Sequence, residues 1–486
     1  MGNSFKLKTF ENVGYNAFGR VIAMAFQFAA NIVLARNLAS SDYGIAGFAM
    51  IFADFFTRFG DMGIQAAVIK ERELDEKGLY TGFVIKAALG IAVFAAALVF
   101  SPSAGKLFGN PAVVNVVKFL ALNFVINSFV FLPSVLLTRE LDYRKLLLPQ
   151  TASVVANSVI SILLARAGYG YWSIILANVA STAIFAVIIN IVRPVKMRFL
   201  YDRERADGFI NFGGNIFVSG LIVFLIFNVD NFAIGVLKGA DALGHYSVAF
   251  NWGTMIGGMV GLVILSVLFP TFSRFQEDRL RLKNAYLRVL EYVGFFGILC
   301  NSGLFMVSKE FLFLVLGRDT GKWLPALTSL RILCFYGMIR LLFEPVGSVI
   351  LAMGKSGALL RVQVIVAAVE LLLLYPALRF FGIEGVAAAV TLAYAVSFFA
   401  LFPLLKRELK LSAAQWAAPV VPAIFSALVA AALLGSAGKY FPFSLYSLAG
   451  KIIIFTGVYC LVYGVATKWK MAGELKEIAA EFRRGR

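Results

Sequence analysis

Residues 82–100 read Gly82-Phe-Val-Ile-Lys86-Ala-Ala-Leu-Gly-Ile-Ala-Val-Phe-Ala-Ala-Ala-Leu-Val-Phe100, an apolar run broken by one charge. A helix of roughly 20 such residues crosses the hydrocarbon of a bilayer. The run does not alternate polar with apolar positions as a barrel strand must, so a helix that satisfies its own backbone is the structure it predicts. Working outward, runs of the same kind recur near 13–35, 44–66, 112–137, 151–167, 171–192, 211–236 and 245–270. They continue near 287–308, 326–352, 358–380, 385–404, 416–435 and 445–467. These fourteen runs predict an all-α integral membrane protein of about 14 transmembrane helices.

Composition agrees. Of 486 residues 60% are hydrophobic, with 43 glycines besides, against roughly 45–50% for both classes together in soluble chains. That leaves no room for a sizeable soluble catalytic module. Only 15% of residues are charged, yet the net charge is +18, an excess that reads as cytoplasmic loops facing anionic lipid and not as a nucleic-acid footprint. With cations at span edges counted in the adjoining loop, 28 of the 45 Lys and Arg fall in one set of alternate loops and tails and 10 in the other. An even number of spans then places both termini in the cytoplasm. Lys6 and Lys8 precede an apolar run as in a signal peptide, but the length of that run and its Asn16, Arg20, Gln27 and Asn31 mark a retained first span. Lys6 also stands where a myristoylation signal needs Ser or Thr.

Several chemistries are not expected. Three cysteines and one histidine, with no C-x-x-C, cannot build a zinc cage, a haem site or a disulfide framework, so no metal or cofactor is expected. Gly354-Lys355-Ser356 looks like the end of a phosphate loop, but Val349 takes the first glycine position. The chain therefore reads as a transporter and not an enzyme. A membrane polysaccharide polymerase or lipid-linked-sugar transferase is the rival class, and it would display a long outer loop. Here the longest polar stretch, Arg193 to Gly208, is short and assigned to the cytoplasm.

The chain also repeats itself. Asn12-Val-Gly14-Tyr-Asn16-Ala-Phe18 matches Asn211-Phe-Gly213-Gly-Asn215-Ile-Phe217, and after a short insertion Ala39, Tyr43 and Ile45 pair with Ala242, Tyr246 and Val248. Two copies of six spans predict lobes over 1–200 and 201–410, with two appended helices and a tail over 411–486. At 100° per residue, Asn12, Asn16, Arg20, Gln27 and Asn31 share one arc of span 1, and Asn211, Asn215, Ser219 and Asp230 share the same arc of span 7. Two readings stand: stripes facing a shared water-filled cavity, or amides bonded between helices.

Charges inside apolar runs need a cavity or a partner. Asp54, Arg58 and Asp61 fall at i, i+4 and i+7 on one helix face, either a self-neutralising cluster or a site, while the second copy carries Gly257 and Gly261 instead. Gly253 precedes them in a small-residue ridge suited to close helix packing. Arg340 and Glu344 form an i, i+4 pair. Glu370 has no local partner in sequence and is the candidate for ion coupling. Lys86, Lys118 and Arg331 lie near enough to span ends to snorkel.

Several strings carry a family likeness: Leu34-Ala-Arg36-Asn-Leu38 through Asp42-Tyr43-Gly44, Asp61-Met-Gly63 through Lys70, Leu137-Thr-Arg139-Glu-Leu-Asp142-Tyr143-Arg144-Lys145, Asn228-Val-Asp230-Asn231 through Ala249, and Phe269-Pro270-Thr-Phe-Ser273-Arg274. Together they resemble the oligosaccharide-flippase branch, colanic-acid and O-antigen exporters included, of the polysaccharide transporter family. That family lies in the multidrug/oligosaccharidyl-lipid/polysaccharide exporter superfamily. The resemblance implies two six-helix lobes, alternating access, a bacterial inner-membrane location, and an undecaprenyl-diphosphate-linked oligosaccharide as cargo for exopolysaccharide, O-antigen or capsule synthesis. It implies that spans 13 and 14 help hold the lipid tail and that Arg20 and Arg58 meet the diphosphate. A lipid II flippase and a multidrug exporter of the same superfamily are the alternatives. A polysaccharide polymerase is an expected partner, and a monomer the expected state.

A sugar diphosphate crossing hydrocarbon needs cations for phosphate and amides or hydroxyls for sugar. Arg20 and Arg58 are the cations; Asn12, Asn16, Gln27, Asn31, Asn211, Asn215 and Ser219 are the polar lining expected for the glycan.

Overall fold

The computed structural model describes the backbone of residues 2–71, 73–274, 278–437, 441–470 and 473, with the side chains at those positions other than 2–18, 20, 215, 256–271, 273–274, 356 and 398. The described chain is helical. Its order is α1 (Gly2–Asn37), α2 (Ser40–Asp61), α3 (Ile64–Lys70), α4 (Glu76–Phe108), α5 (Ala112–Leu120), α6 (Leu122–Arg139), α7 (Tyr143–Arg166) and α8 (Trp172–Val192). There follow α9 (Arg203–Arg274), α10 (Arg279–Glu310), α11 (Leu327–Ala352), α12 (Ser356–Leu409), α13 (Ala413–Ala417), α14 (Val421–Ala437) and α15 (Leu445–Ala466).

Local chemistry sets the ends. Asp75 caps α4 by accepting from the Gly78 amide at 2.7 Å, and the helix stops at Gly109 with φ 66°, where a side chain would be strained. Asp142 and Asp278 cap α7 and α10 in the same way, and Ser412 with Gln415 forms a capping box on α13. The two longest helices are each two helices joined at a glycine, Gly239 (φ 83°, ψ −173°) in α9 and Gly382 (φ 62°, ψ −146°) in α12. Each break falls in a loop expected between two apolar runs, so the 53-residue stretch Gly357–Leu409 holds two runs and Arg203–Met255 holds one run and the start of the next.

The expected runs fall in helical segments, but three are interrupted. The 44–66 run breaks between α2 and α3, where Met62 and Gly63 take left-handed backbone, and 416–435 breaks at the turn 418–420 between α13 and α14. The 112–137 run is shared by α5 and α6, which meet at Ala121 without leaving right-handed backbone. Among the described residues nine helical stretches are long and apolar enough to cross a membrane, and Val21–Asn37 and Val421–Ala437 are shorter apolar helices.

The chain packs as two compact units, Met1–Ser247 and Val248–Arg486. In the first, α3, α4 and α6 bury Ile64, Val68, Phe83, Phe131 and Val135 together with Phe209. Helix α2 runs antiparallel to residues 203–238 of α9: Phe48 meets Phe232 at 5.8 Å between ring centroids, Phe55 meets Phe224 at 5.6 Å, and Phe59 meets Phe217 at 4.9 Å. Glycines close both ends of this seam. Gly44 lies against the Ala240 backbone, Gly244 against that of Ser40, and Gly213 against the Met62 carbonyl. In the second unit, α10, α11 and α12 pack side by side, with α14 and α15 on α10. Three contacts fasten α13 and α15 to α10: Trp416 Nε1 of α13 donates to the Tyr286 hydroxyl at 2.8 Å, the Tyr459 hydroxyl of α15 donates to the Phe295 carbonyl at 2.9 Å, and Lys451 of α15 pairs with Glu310 at 2.6 Å. Gly253 packs on Leu333 of α11, the close approach expected of it, while Gly257 and Gly261 lie outside the described side chains.

Candidate functional site

In the first unit the charged face of α2 resolves into two ion pairs. Arg58 donates to the Asp54 carboxylate four residues earlier at 3.3 Å, with both side chains more than a third exposed, at 37% and 40%. Asp61 turns to another helix: Lys86 of α4 pairs with it at 2.8 Å and donates to the Gly60 carbonyl, also at 2.8 Å. The lysine expected to snorkel is thus held at the end of α2, with its side chain 12% exposed. The Arg58 Nε is buried with no hydrogen-bond partner among the described residues.

Beside these charges, α2 and the 203–238 segment enclose an apolar cavity of about 290 Å³ lined by Ile51, Phe52, Phe55, Leu107, Phe224 and Phe232, with Asn228 in its wall. Asp230 follows the lining residues Asn228 and Val229 on the same helix and is buried. Its carboxylate accepts from the Tyr246 hydroxyl at 2.7 Å and from the Asn231 backbone and side-chain amides at 2.7 and 3.0 Å. A buried carboxylate needs such donors to stay satisfied.

The other stripe residues are placed as follows. Gln27 is exposed and Asn31 half-buried on α1; Asn211 and Ser219 are exposed on α9. The side chains of Asn12, Asn16, Arg20 and Asn215 lie outside the described residues.

In the second unit the Arg340–Glu344 pair and Glu370, read separately in sequence, meet through two tyrosines. Tyr336 and Tyr394 are in edge contact at 4.8 Å and share a hydrogen bond, and the Arg340 guanidinium stands 6.0 Å from the Tyr336 ring. Tyr394 lies within Coulombic reach of Arg340, Glu344 and Glu370. Glu370 is 1% exposed. Three charged groups from α11 and α12 thus share one interior site, with two carboxylates to one guanidinium.

The residues that sequence reasoning missed are the neutral or distant members of these groups: Lys86 as the partner of Asp61, Tyr246 on Asp230, and Tyr336 and Tyr394 around Arg340. The only advance signal was the recurrence of Tyr43 and Tyr246 in the repeat. Several family strings have structural duties. Arg139 Nη1 donates to the carbonyls of Val68 and Ile69 at 3.1 Å each, closing the end of α3, and Asp42 accepts from the amides of Ala39 and Tyr171 at 2.9 and 3.1 Å. Among the described residues no group of His, Cys, Asp and Glu could hold a metal ion.

Long apolar helices packed in two compact units define a multi-pass integral membrane protein. The chain belongs to the polysaccharide biosynthesis protein family, whose model matches residues 33–328. It is 25% identical over 402 residues to the lipopolysaccharide biosynthesis protein WzxC of Escherichia coli (strain K12), covering 80% of this chain and 78% of that one. It is 27% identical over 309 residues to the teichuronic acid biosynthesis protein TuaB of Bacillus subtilis (strain 168), covering 61% of each. Its fold is similar to that of the lipid II flippase MurJ in an inward closed conformation, with a TM-score of 0.75 over 93% of this chain and 98% of that one at 14% identity. An inward-facing multidrug resistance transporter of the MOP superfamily matches with a TM-score of 0.63 over 81% of this chain and 98% of that one at 15% identity. The chain thus belongs to the family that its quoted strings resemble, and it has the all-helical membrane fold that its apolar runs predict.

Proposed function

We propose that this chain moves a polyprenyl-diphosphate-linked oligosaccharide from the inner to the outer leaflet of a bacterial cytoplasmic membrane by alternating access, for the assembly of a surface polysaccharide. The observation that carries the reading is the family match across residues 33–328, joined to a fold shared with a lipid flippase over 93% of the chain. The working lobes in this reading are 1–200 and 201–410, with 411–486 appended, both termini cytoplasmic, the protein a monomer and a polymerase its downstream partner.

Arg58 would take one phosphate and Arg20 the other, with Asn12, Asn16, Gln27, Asn31, Asn211, Asn215 and Ser219 meeting hydroxyls. The Asp54–Arg58 pair supports this. A half-exposed pair at 3.3 Å contributes about 1 kcal/mol or less, so phosphate, which binds a guanidinium through two oxygens at once, can displace the carboxylate. The free buried Nε supplies a further donor. Moving an anion outward is also favoured by an inside-negative potential, roughly 2.3 kcal/mol per charge per 100 mV.

The Arg340–Glu344–Glu370 group is the coupling element in this reading. One guanidinium balances one of two carboxylates in the interior, and a proton or a small cation entering from outside balances the other.

The test is flipping of a fluorescent polyprenyl-diphosphate oligosaccharide in proteoliposomes, together with surface polysaccharide in a strain lacking the gene. Wild type restores both, and Arg58→Ala and Arg20→Ala lower both at least tenfold at equal abundance. Wild-type levels in the two variants would remove the arginines from the path. Transport of cationic drugs or lipid II in place of the glycan lipid would replace the cargo assignment.

A further inference from the structure

The second unit carries a groove of about 1170 Å³, lined by none of the residues proposed to meet the diphosphate or the glycan, formed where α10 begins, α13 and α14 begin and α15 ends. Arg281, Lys283, Arg288 and Lys470 line it, against one lining carboxylate, Glu291. The wall between them is apolar, built from Leu287, Pro419 and Pro422 among others. Lys470 pairs with Glu291 at 3.7 Å, Arg281 pairs with Asp278 at the edge of the groove at 3.1 Å, and Lys283 donates to the Gln415 side chain at 2.9 Å. Arg281 and Lys470 are well exposed, at 73% and 58% of the side chain. The lining residues run along α10 from Leu280 to Tyr292, about 18 Å at 1.5 Å per residue. All the helix ends that meet here belong to segments on the cation-rich side of the chain, the side of the inner-leaflet headgroups.

We infer that this groove is a binding site for an anionic glycerophospholipid of the inner leaflet, its phosphate among Arg281, Arg288 and Lys470 and its acyl chains along Leu287 and the prolines. The charge balance selects the occupant. Four cations to two carboxylates, Glu291 in the wall and Asp278 at its edge, on a largely apolar wall match a ligand that is acidic at one end and hydrocarbon at the other. Exposed pairs of this kind contribute about 1 kcal/mol or less and yield to a phosphate, and basic pockets between transmembrane helices at this level bind acidic headgroups. A zwitterionic lipid would bring its own cation against Arg281 and Lys470. Because the site fastens α10 to α14 and α15 through one ligand, lipid occupancy stabilises the appended pair of helices. This holds whatever cargo the protein moves.

The experiment titrates delipidated full-length protein with phosphatidylglycerol, phosphatidylcholine or inorganic phosphate and reads bound adducts by native mass spectrometry. Wild type binds phosphatidylglycerol at least tenfold more tightly than phosphatidylcholine and holds no inorganic phosphate. Arg281→Gln/Arg288→Gln loses about thirtyfold in phosphatidylglycerol affinity, at roughly fivefold per charge, while Arg281→Lys/Arg288→Lys retains it and separates lost charge from lost fold. Equal binding of the two lipids, an unaffected glutamine variant, or retention of inorganic phosphate alone would overturn the inference. So would displacement of phosphatidylglycerol by equimolar polyprenyl diphosphate, which would assign the groove to a cargo lipid. None of these readouts involves flipping, so failure here leaves the transport reading standing, and failure of transport leaves this one.

Discussion

The Lys86 ammonium sits 2.8 Å from the Asp61 carboxylate and 2.8 Å from the carbonyl of Gly60. A cation from the first third of one apolar helix thus closes the end of another. The expected triad of Asp54, Arg58 and Asp61 on α2 becomes two pairs, and Arg58 competes for one carboxylate instead of standing between two.

Lys86→Met is expected to lower stability by about 2 kcal/mol, less than the 3–5 kcal/mol for breaking a fully buried pair because Asp61 remains 58% exposed. Asp61→Asn on top of it should cost little more, since the carboxylate that lost its partner is then neutral. Thermal unfolding of the two single variants and the double variant in detergent gives the coupling; strict additivity would show that the pair does not stabilise the fold.

Gly44→Ala should cost stability on the scale of core overpacking, about 1–3 kcal/mol, because its β-carbon would collide with the backbone of Ala240, which cannot move aside as a side-chain tip can. Gly435→Ala in α14 meets nothing within 4 Å, and alanine is the better helix former, so this change should be neutral or raise stability by up to about 1 kcal/mol. A melting temperature for each variant decides, and equal values would mean that the seam between α2 and α9 is looser than the structure shows.

Glu370→Gln should leave abundance and melting temperature within a few degrees of wild type, because it removes a charge from a group that already holds two carboxylates to one guanidinium. It should lower flipping at least tenfold and abolish its acceleration by an imposed acid-outside gradient. Flipping that still follows the gradient would move the coupling role away from Glu370. The variant Arg340→Lys, which keeps the charge but loses the planar fork, should be impaired less than Arg340→Met.

Outside the spans, Asp142 is held below the usual carboxylate range first by its hydrogen bond from Lys145, and Asp202 first by the backbone amide of Arg205. A carboxyl whose folded pKa is depressed contributes stability that is present above its ordinary value near 3.9 and is lost as pH falls through the folded value. Unfolding followed from pH 5 to pH 2.5 should therefore show an acid loss that Asp142→Asn and Asp202→Asn each make shallower. Their stabilities should converge on wild type at the acid end. Parallel curves would show that neither carboxylate contributes.

The membrane helices were legible because their cause is local. A backbone in hydrocarbon must bond to itself, so a run such as 82–100 declares a helix whatever surrounds it, and Gly239 and Gly382 break two long helices because only glycine takes those angles without strain. The family strings were legible for the same reason: residues close in sequence carry them. The pairing of charges was legible only where both partners share a helix, as in Asp54 with Arg58.

By itself, then, the order of residues determined the helices, their apolar character and the family. Only the tertiary structure decided that Lys86 goes to Asp61, that Tyr246 satisfies Asp230, that Glu370 joins Arg340 and Glu344 around two tyrosines, and that Gly44 and Gly244 press against Ala240 and Ser40. Each of these joins residues with no fixed helical spacing between them. Their meeting depends on how helices pack, a property of side-chain volume summed over whole faces, and no short stretch of the chain records it.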